Sequence, residues 1–344
     1  MSTDHAFVSA RQLSAGFHDD VIRPLLGEVP YAAALLGWGS DVLGYDTARS
    51  TDHGWGPRLQ VFVDADQVQP IAQLIDKNLP EHYQGHLLRF GWDAQEPVSH
   101  ITVNTVGAWL EDHLGRDVSQ GMTTEDWLIT PQQQLLGVVA GPVYADDGRL
   151  QRIRDDLGWY PDDVWRWLLA CQWSRIAQEE AFVQRTAEVG DDLGSRVIAA
   201  RLTRDLMRLA LLMERAYAPY SKWLGTAFAR LRHPDGLDLE LGRALDAGAP
   251  EDRERALTTA YEKAALRHNA LGITQYVEPE PRQYFDRPAM VLDAGRFVAA
   301  CLETVKDPWL RKLELVGSID QFADNTDLLS NPAVSRRLIA IYQK

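Results

Sequence analysis

Cysteine is almost absent: the 344 residues contain two, Cys171 and Cys301. A chain of about two domain lengths can bury its own core, so a small disulfide-stapled scaffold is excluded. Cys171 falls in the apolar run Trp167-Leu168-Leu169-Ala170-Cys171, where a reduced core thiol is expected and no thiol chemistry is assigned. Long hydrophobic runs are missing as well. No stretch approaches the roughly 18 uncharged apolar residues of a membrane span, and Met1-Ser2-Thr3-Asp4 has neither a basic nor an apolar leader segment. A cytoplasmic protein without membrane contact is the expectation. Positive charge is in deficit, 35 Lys and Arg against 49 Asp and Glu, and the net −14 makes nucleic acid an unlikely partner.

What the chain does have is ordinary globular composition, 45% hydrophobic and 24% charged, which predicts cooperative folding. Its 11 Trp, 11 Tyr and 9 Phe can fill a large core or line a ligand cleft. The first part mixes elements. Residues 7–26 read as helix, Ala33 to Trp38 as a short strand, and Arg58-Leu59-Gln60-Val61-Phe62-Val63 alternates with the period of a half-buried strand. A helix over 66–79 follows, then strands over 85–90 and 100–104 and a helix over 107–114.

From Trp159 the period lengthens to that of amphipathic helices: Pro161 opens one through Val164, Leu168 and Cys171, and Ile198, Leu202, Leu206, Leu209 and Met213 mark another. Further helices are expected over 220–231, 251–271, 294–305 and 332–342, the last capped by Asn331. The chain therefore reads as α+β, a small-sheet domain over residues 1–147 and an all-helical bundle over 148–344. Ligand sites often lie between such domains.

The most informative segment is Leu36-Gly37-Trp38-Gly39-Ser40-Asp41, followed by Asp52-His53-Gly54-Trp55-Gly56-Pro57 and the strand from Arg58. A dinucleotide or kinase glycine loop starting at Gly37 would need glycine where Val42 stands, no Walker lysine is present, and Ser40 lacks the flanking glycines of a nucleophile elbow. Locally, Gly39-Ser40 reads equally well as a strand-to-helix turn with a capping serine. Asp52 reads as a turn residue and Asp41 as an acid favouring a helix start.

A strand ending in Gly-Ser, a short helix, then an acid leading a second strand resembles the nucleotidyltransferase-fold superfamily. The whole chain looks like one bacterial branch of it, of unknown function, with a helical C-terminal domain. The resemblance is carried by Gly39-Ser40-Asp41-Val42-Leu43-Gly44-Tyr45-Asp46, Asp52 to Arg58, Gln178-Glu179-Glu180-Ala181-Phe182, Glu214 to Trp223 and Gly317 to Asp327. It implies a small mixed sheet and a nucleoside triphosphate bound with magnesium or manganese. It further implies transfer of a nucleoside monophosphate to a small-molecule or protein acceptor.

In that scheme Gly39 and Ser40 hold phosphate, Asp52 and, secondarily, Asp41 bind the metal, Arg58 and Lys222 meet negative charge, and Glu180 is the base. Many relatives place a second acid two residues after the first, on the same strand face, where this chain has Gly54; Asn104 stands where a third acid is usual. The alternative is accordingly a catalytically degenerate fold, acting as a nucleotide- or ligand-binding module or an antitoxin-like partner.

Other clusters have plainer readings. His82 and His86 are separated by Gly85, which favours a loop or strand over zinc ligation. Arg201, Arg204, Asp205 and Arg208 lie on neighbouring helical turns and read as a solvated or salt-bridged face, with an anion-binding wall as the functional alternative. Tyr217-Ala218-Pro219-Tyr220-Ser221-Lys222-Trp223 breaks one helix and starts another with rings and a lysine together, equally suited to packing and to a stacked base.

Overall fold

The computed structural model describes residues 7–52, 55–91, 96–118, 121–233 and 235–343, with the backbone alone for Asp52. The chain divides into two compact units, Met1–Met122 with Gln133–Gly158, and Thr123–Gln132 with Trp159–Lys344. A four-stranded mixed sheet lies in the first and long helices make up the second, so the protein is α+β.

The strands are β1 (Ala32–Ala34), β2 (Leu59–Phe62), β3 (Ile101–Asn104) and β4 (Val143–Ala145), in the order β3-β2-β1-β4. β1 runs antiparallel to β2 and β4, while β2 and β3 are parallel, with Leu59 opposite Ile101 and Phe62 opposite Asn104. Helices of this unit include, in sequence, α1 (Ala10–Phe17), α2 (Ser40–Leu43), α3 (Val68–Asn78) and α4 (Val106–Leu114). A parallel pair requires a crossover, and α3 lies on it.

Alternation explains β2: Leu59, Val61 and Val63 join a core with Phe17, Ile22, Ile71, Ile75 and Leu88. Gln60 and Phe62 take the other face, where Phe62 meets the Trp109 ring edge-on at 5.9 Å. Ile71 and Ile75, one turn apart on α3, supply the helical side of the same core. His82 and His86 lie in a short antiparallel hairpin, Tyr83 opposite His86.

The second unit is organised by α5 (Asp162–Glu179), whose Trp165, Trp167, Leu168, Leu169 and Trp173 are all buried. A helix apolar on several sides belongs in the interior, and α5 packs against α6 (Asp192–Met213). Then come α7 (Ser221–Ala229), α8 (Leu237–Asp246), α9 (Pro250–Ala270) and α10 (Gly295–Thr304). α10 also packs on α5, and α9 on α6 and α8.

The Asp191 carboxylate caps α6 by accepting from Gly194 N–H at 2.8 Å. Asn331 does so for Pro332–Ser335, but the expected 332–342 helix tightens into a 3-10 turn over Arg336–Tyr342. Among the described residues no helix is long and apolar enough to cross a membrane. Both cysteines are buried and unpaired.

Candidate functional site

β1 ends at Ala34, short of the expected Trp38, and leads into a loop whose glycines adopt backbone conformations that other residues rarely reach: φ is +93° at Gly37 and +140° at Gly39. The loop amides are tied down one by one. Leu35 N–H donates to the Pro142 carbonyl at 3.0 Å, Leu36 N–H to Gln60 Oε1 at 2.6 Å, and Gly37 N–H to the Gly137 carbonyl at 2.8 Å. α2 follows at once, and Arg11 of α1 closes its far end, donating through Nε to the Asp41 carbonyl at 3.0 Å and through Nη2 to the carbonyls of Val42 and Ala140. These bonds satisfy carbonyls that a helix end leaves orphaned.

Arg58 stands just before β2 and reaches back to this platform. Its Nη2 donates to the Trp38 carbonyl at 2.7 Å, and its Nε lies 3.1 Å from Asp41 Oδ2, with the two side chains 14% and 8% exposed. The Asp41 carboxylate in turn lies against Gly39, where an added Cβ would run into Oδ1. The half-buried Ser40 hydroxyl has no hydrogen-bond partner among the described residues. Four of the expected residues, Gly39, Ser40, Asp41 and Arg58, are thus brought together. Behind them His100 stacks on Phe90 with centroids 4.0 Å apart, and burial lowers its imidazole pKa.

Of the two acids expected to hold metal, only Asp41 has a described side chain. Asp41 is neutralised by Arg58 rather than open, and Asp46 Oδ2 accepts from Ala10 N–H at 2.7 Å and from Trp55 Nε1 at 3.2 Å. The Asp52 backbone ends a 3-10 turn, Ala48–Asp52; its side chain, with His53 and Gly54, lies outside the described residues. No three His, Cys, Asp or Glu side chains among the described residues form a metal-holding group. Of the two acids expected at a metal, Asp41 is thus held by Arg58, and the Asp52 side chain is not among the described residues.

Glu180, the base that the resemblance implies, is buried in the second unit. It is 8% exposed, and its carboxylate accepts from three consecutive backbone amides, Leu292 at 2.8 Å, Asp293 at 3.1 Å and Ala294 at 3.0 Å, at the head of α10. Burial pushes its pKa up to about 7 against the pull of those donors. Lys222 is exposed at the start of α7, its Nζ 5.0 Å from the centre of the Trp223 ring.

Three members of the arginine face are salt-bridged: Arg201 pairs with Glu179 at 2.8 Å, Arg204 with Asp324 at 2.6 Å and Asp205 with Arg175 at 3.1 Å. Arg208 completes it by donating to the Asp320 carbonyl. Arg11 and Gln60, which hold the glycine loop in place, carry no sequence motif; each is an ordinary polar residue on a regular element, and only the tertiary fold gives it a loop to hold.

A separate cavity of about 370 Å³ opens beyond the ends of β2 and β3, lined by Val63, Asp64, Ala65, Thr105, Val106, Asp147 and Arg149. Its guanidinium is already engaged by Asp147 at 2.5 Å and by Asp64 at 3.2 Å, so it offers a ligand no free positive charge.

An α+β protein with a strand, a glycine-serine loop, a short helix and a second strand at the sheet is the class these features define. Residues 127–224 match the model of a domain of unknown function (DUF4037), a segment that contains Glu180 and Lys222 but none of the residues around Gly39. No curated protein and no solved structure matches the chain.

Proposed function

We propose that the first unit is a nucleotidyltransferase-like module that binds the phosphates of a nucleoside triphosphate at the Gly39-Ser40 loop. The observation that carries this reading is Arg58, a guanidinium fixed beside Gly39, with the Ser40 hydroxyl, which has hydrogen-bonding capacity to spare, one residue further along the chain. The order of elements supports it: the loop joins β1 to an antiparallel β2, with a third strand parallel to β2, in keeping with the small mixed sheet that the resemblance implies.

Transfer of the nucleoside monophosphate needs carboxylates free to hold a metal and a base free to take a proton. Asp41 and Glu180 are each committed elsewhere and position 54 carries glycine. These observations favour binding over transfer. Two unpaired, buried thiols support a reducing, cytoplasmic setting.

Calorimetry with a nucleoside triphosphate tests the reading. Gly39→Val should lose binding along with some stability, because φ at 39 and the adjacent Asp41 Oδ1 leave a side chain no room, and Arg58→Gln, which leaves the loop glycines in place, should lose binding as well. Unchanged affinity would move the site elsewhere. Incubation with labelled triphosphate, magnesium and a metabolite extract should leave no covalently transferred label; transfer would restore the enzymatic reading.

A further inference from the structure

We propose that Asp41 is the resident anion of this site, an internal carboxylate that a phosphate group must displace before it can pair with Arg58. The inference rests on the triphosphate reading above and adds how that site is gated. Asp41 is 6% exposed, its Oδ2 lies 3.1 Å from Arg58 Nε, and its Oδ1 presses on the face of Gly39 that a side chain at that position would fill. The place where a phosphate would approach the loop is therefore already taken by a group of like charge.

The two partners are anchored so that only the carboxylate has to move. Arg58 has a separate bond to the Trp38 carbonyl at 2.7 Å, made through Nη2 rather than the Nε that faces Asp41, and the Asp41 backbone is held at its carbonyl by Arg11 at 3.0 Å. Rotation of one side chain exposes the guanidinium without unfolding the loop. Ser40, adjacent in the chain, then supplies a hydroxyl to the incoming group.

Competition between the two anions sets what can enter. A tethered carboxylate faces its partner at high effective concentration, so a free monoanion of similar chemistry does not replace it. A polyphosphate brings several negative charges and oxygens that pair with guanidinium in bidentate fashion, and it exchanges one ion pair for a stronger set. The gate thus selects polyphosphates over acetate-like ligands. It also keeps the half-buried arginine paired when nothing is bound, which lessens the cost of an uncompensated charge.

The test uses the full chain, inorganic triphosphate without divalent cations, and calorimetry. Asp41→Asn keeps the shape and removes the competing charge, and should bind at least tenfold more tightly than the wild type; acetate should bind neither. In the wild type, the Arg58 Nε–H resonance, identified by its loss in Arg58→Gln, should shift as triphosphate is added, a reading that stands even if Asp41→Asn folds poorly. Equal affinity of wild type and Asp41→Asn with an unmoved arginine resonance, while Gly39→Val still abolishes binding, would overturn the gate and leave the triphosphate site standing. No binding by any form would overturn both.

Discussion

Two buried titratable side chains in the helical unit pull stability in opposite directions with pH. The folded pKa of Glu180 is raised from 4.5 to about 7, with burial the main cause, so the folded chain binds more protons than the unfolded one between those values, and stability falls as pH rises across that window. The full excursion is on the order of 3 kcal/mol for a shift of this size. His268 does the reverse. The Trp173 indole donates to its Nδ1 at 3.1 Å, which puts the ring proton on Nε2, facing the Thr274 hydroxyl at 3.1 Å. Burial lowers its pKa from 6.5 to about 4, so stability is lost as pH falls from 6.5 towards 4. Between about pH 4.5 and 6.5 the two slopes oppose. Urea denaturation across that range should show stability rising with pH in Glu180→Gln and falling with pH in His268→Gln. Parallel curves for the two variants would contradict the assignment.

At the scale of elements, glycines separate close approach from mere flexibility. Gly141, just before β4, sits so near the Leu35 carbonyl that an added Cβ would run into it, with the carbonyl carbon at 2.9 Å and Val42 Cγ1 at 3.4 Å. Gly141→Ala should push β4 away from β1 and cost about 2–3 kcal/mol, as overpacking does. Gly242, exposed on α8 with nothing within 4 Å of its Cβ position, should behave oppositely, and Gly242→Ala should gain about 0.5–1 kcal/mol from helix propensity. Chemical denaturation of the two variants checks both signs.

The same elements show what pattern alone can reveal. β2 is legible because Leu59, Val61 and Val63 alternate with Gln60 and Phe62, and α5 and α6 because their apolar spacing is helical. β4 was not legible: its three residues are all half-buried, follow Gly141-Pro142, and become a strand only through pairing with Ala33 and Ala34. β1 is shorter than the apolar run Ala33 to Trp38 predicts: Leu35 and Leu36 are as buried as strand residues, yet the Leu36 amide turns to the Gln60 side chain instead of a ladder. At the candidate site, Gly39-Ser40 was visible as a loop before a helix. The Asp41–Arg58 pair was not, since it joins a helix to a strand start and nothing local in the sequence couples them.

For the whole molecule, the path of the chain governs which pieces can fold. Residues 123–132 belong with the helical unit although 133–158 return to the sheet unit. Within the helical unit Trp127 meets the ring of Tyr160 edge-on at 5.5 Å. The Gln132 backbone N–H donates to buried Asp320 Oδ2 at 2.9 Å, and the Gln132 side-chain oxygen accepts from Ala218 N–H at 2.6 Å. A fragment starting at 148, where composition alone would place the boundary, lacks all three contacts. It leaves a buried acceptor and a buried donor unpaired, at roughly 1–3 kcal/mol each, and it loses a buried tryptophan, at roughly 3–5 kcal/mol. Those losses together are comparable to the whole stability of an ordinary domain. A fragment spanning 123–344 keeps these contacts at the cost of carrying residues 133–158 away from their own unit. Expressed side by side, 123–344 should unfold cooperatively in urea, whereas 148–344 should unfold at much lower urea or show no transition. Equal midpoints for the two would mean that the 123–132 segment contributes nothing to the helical core.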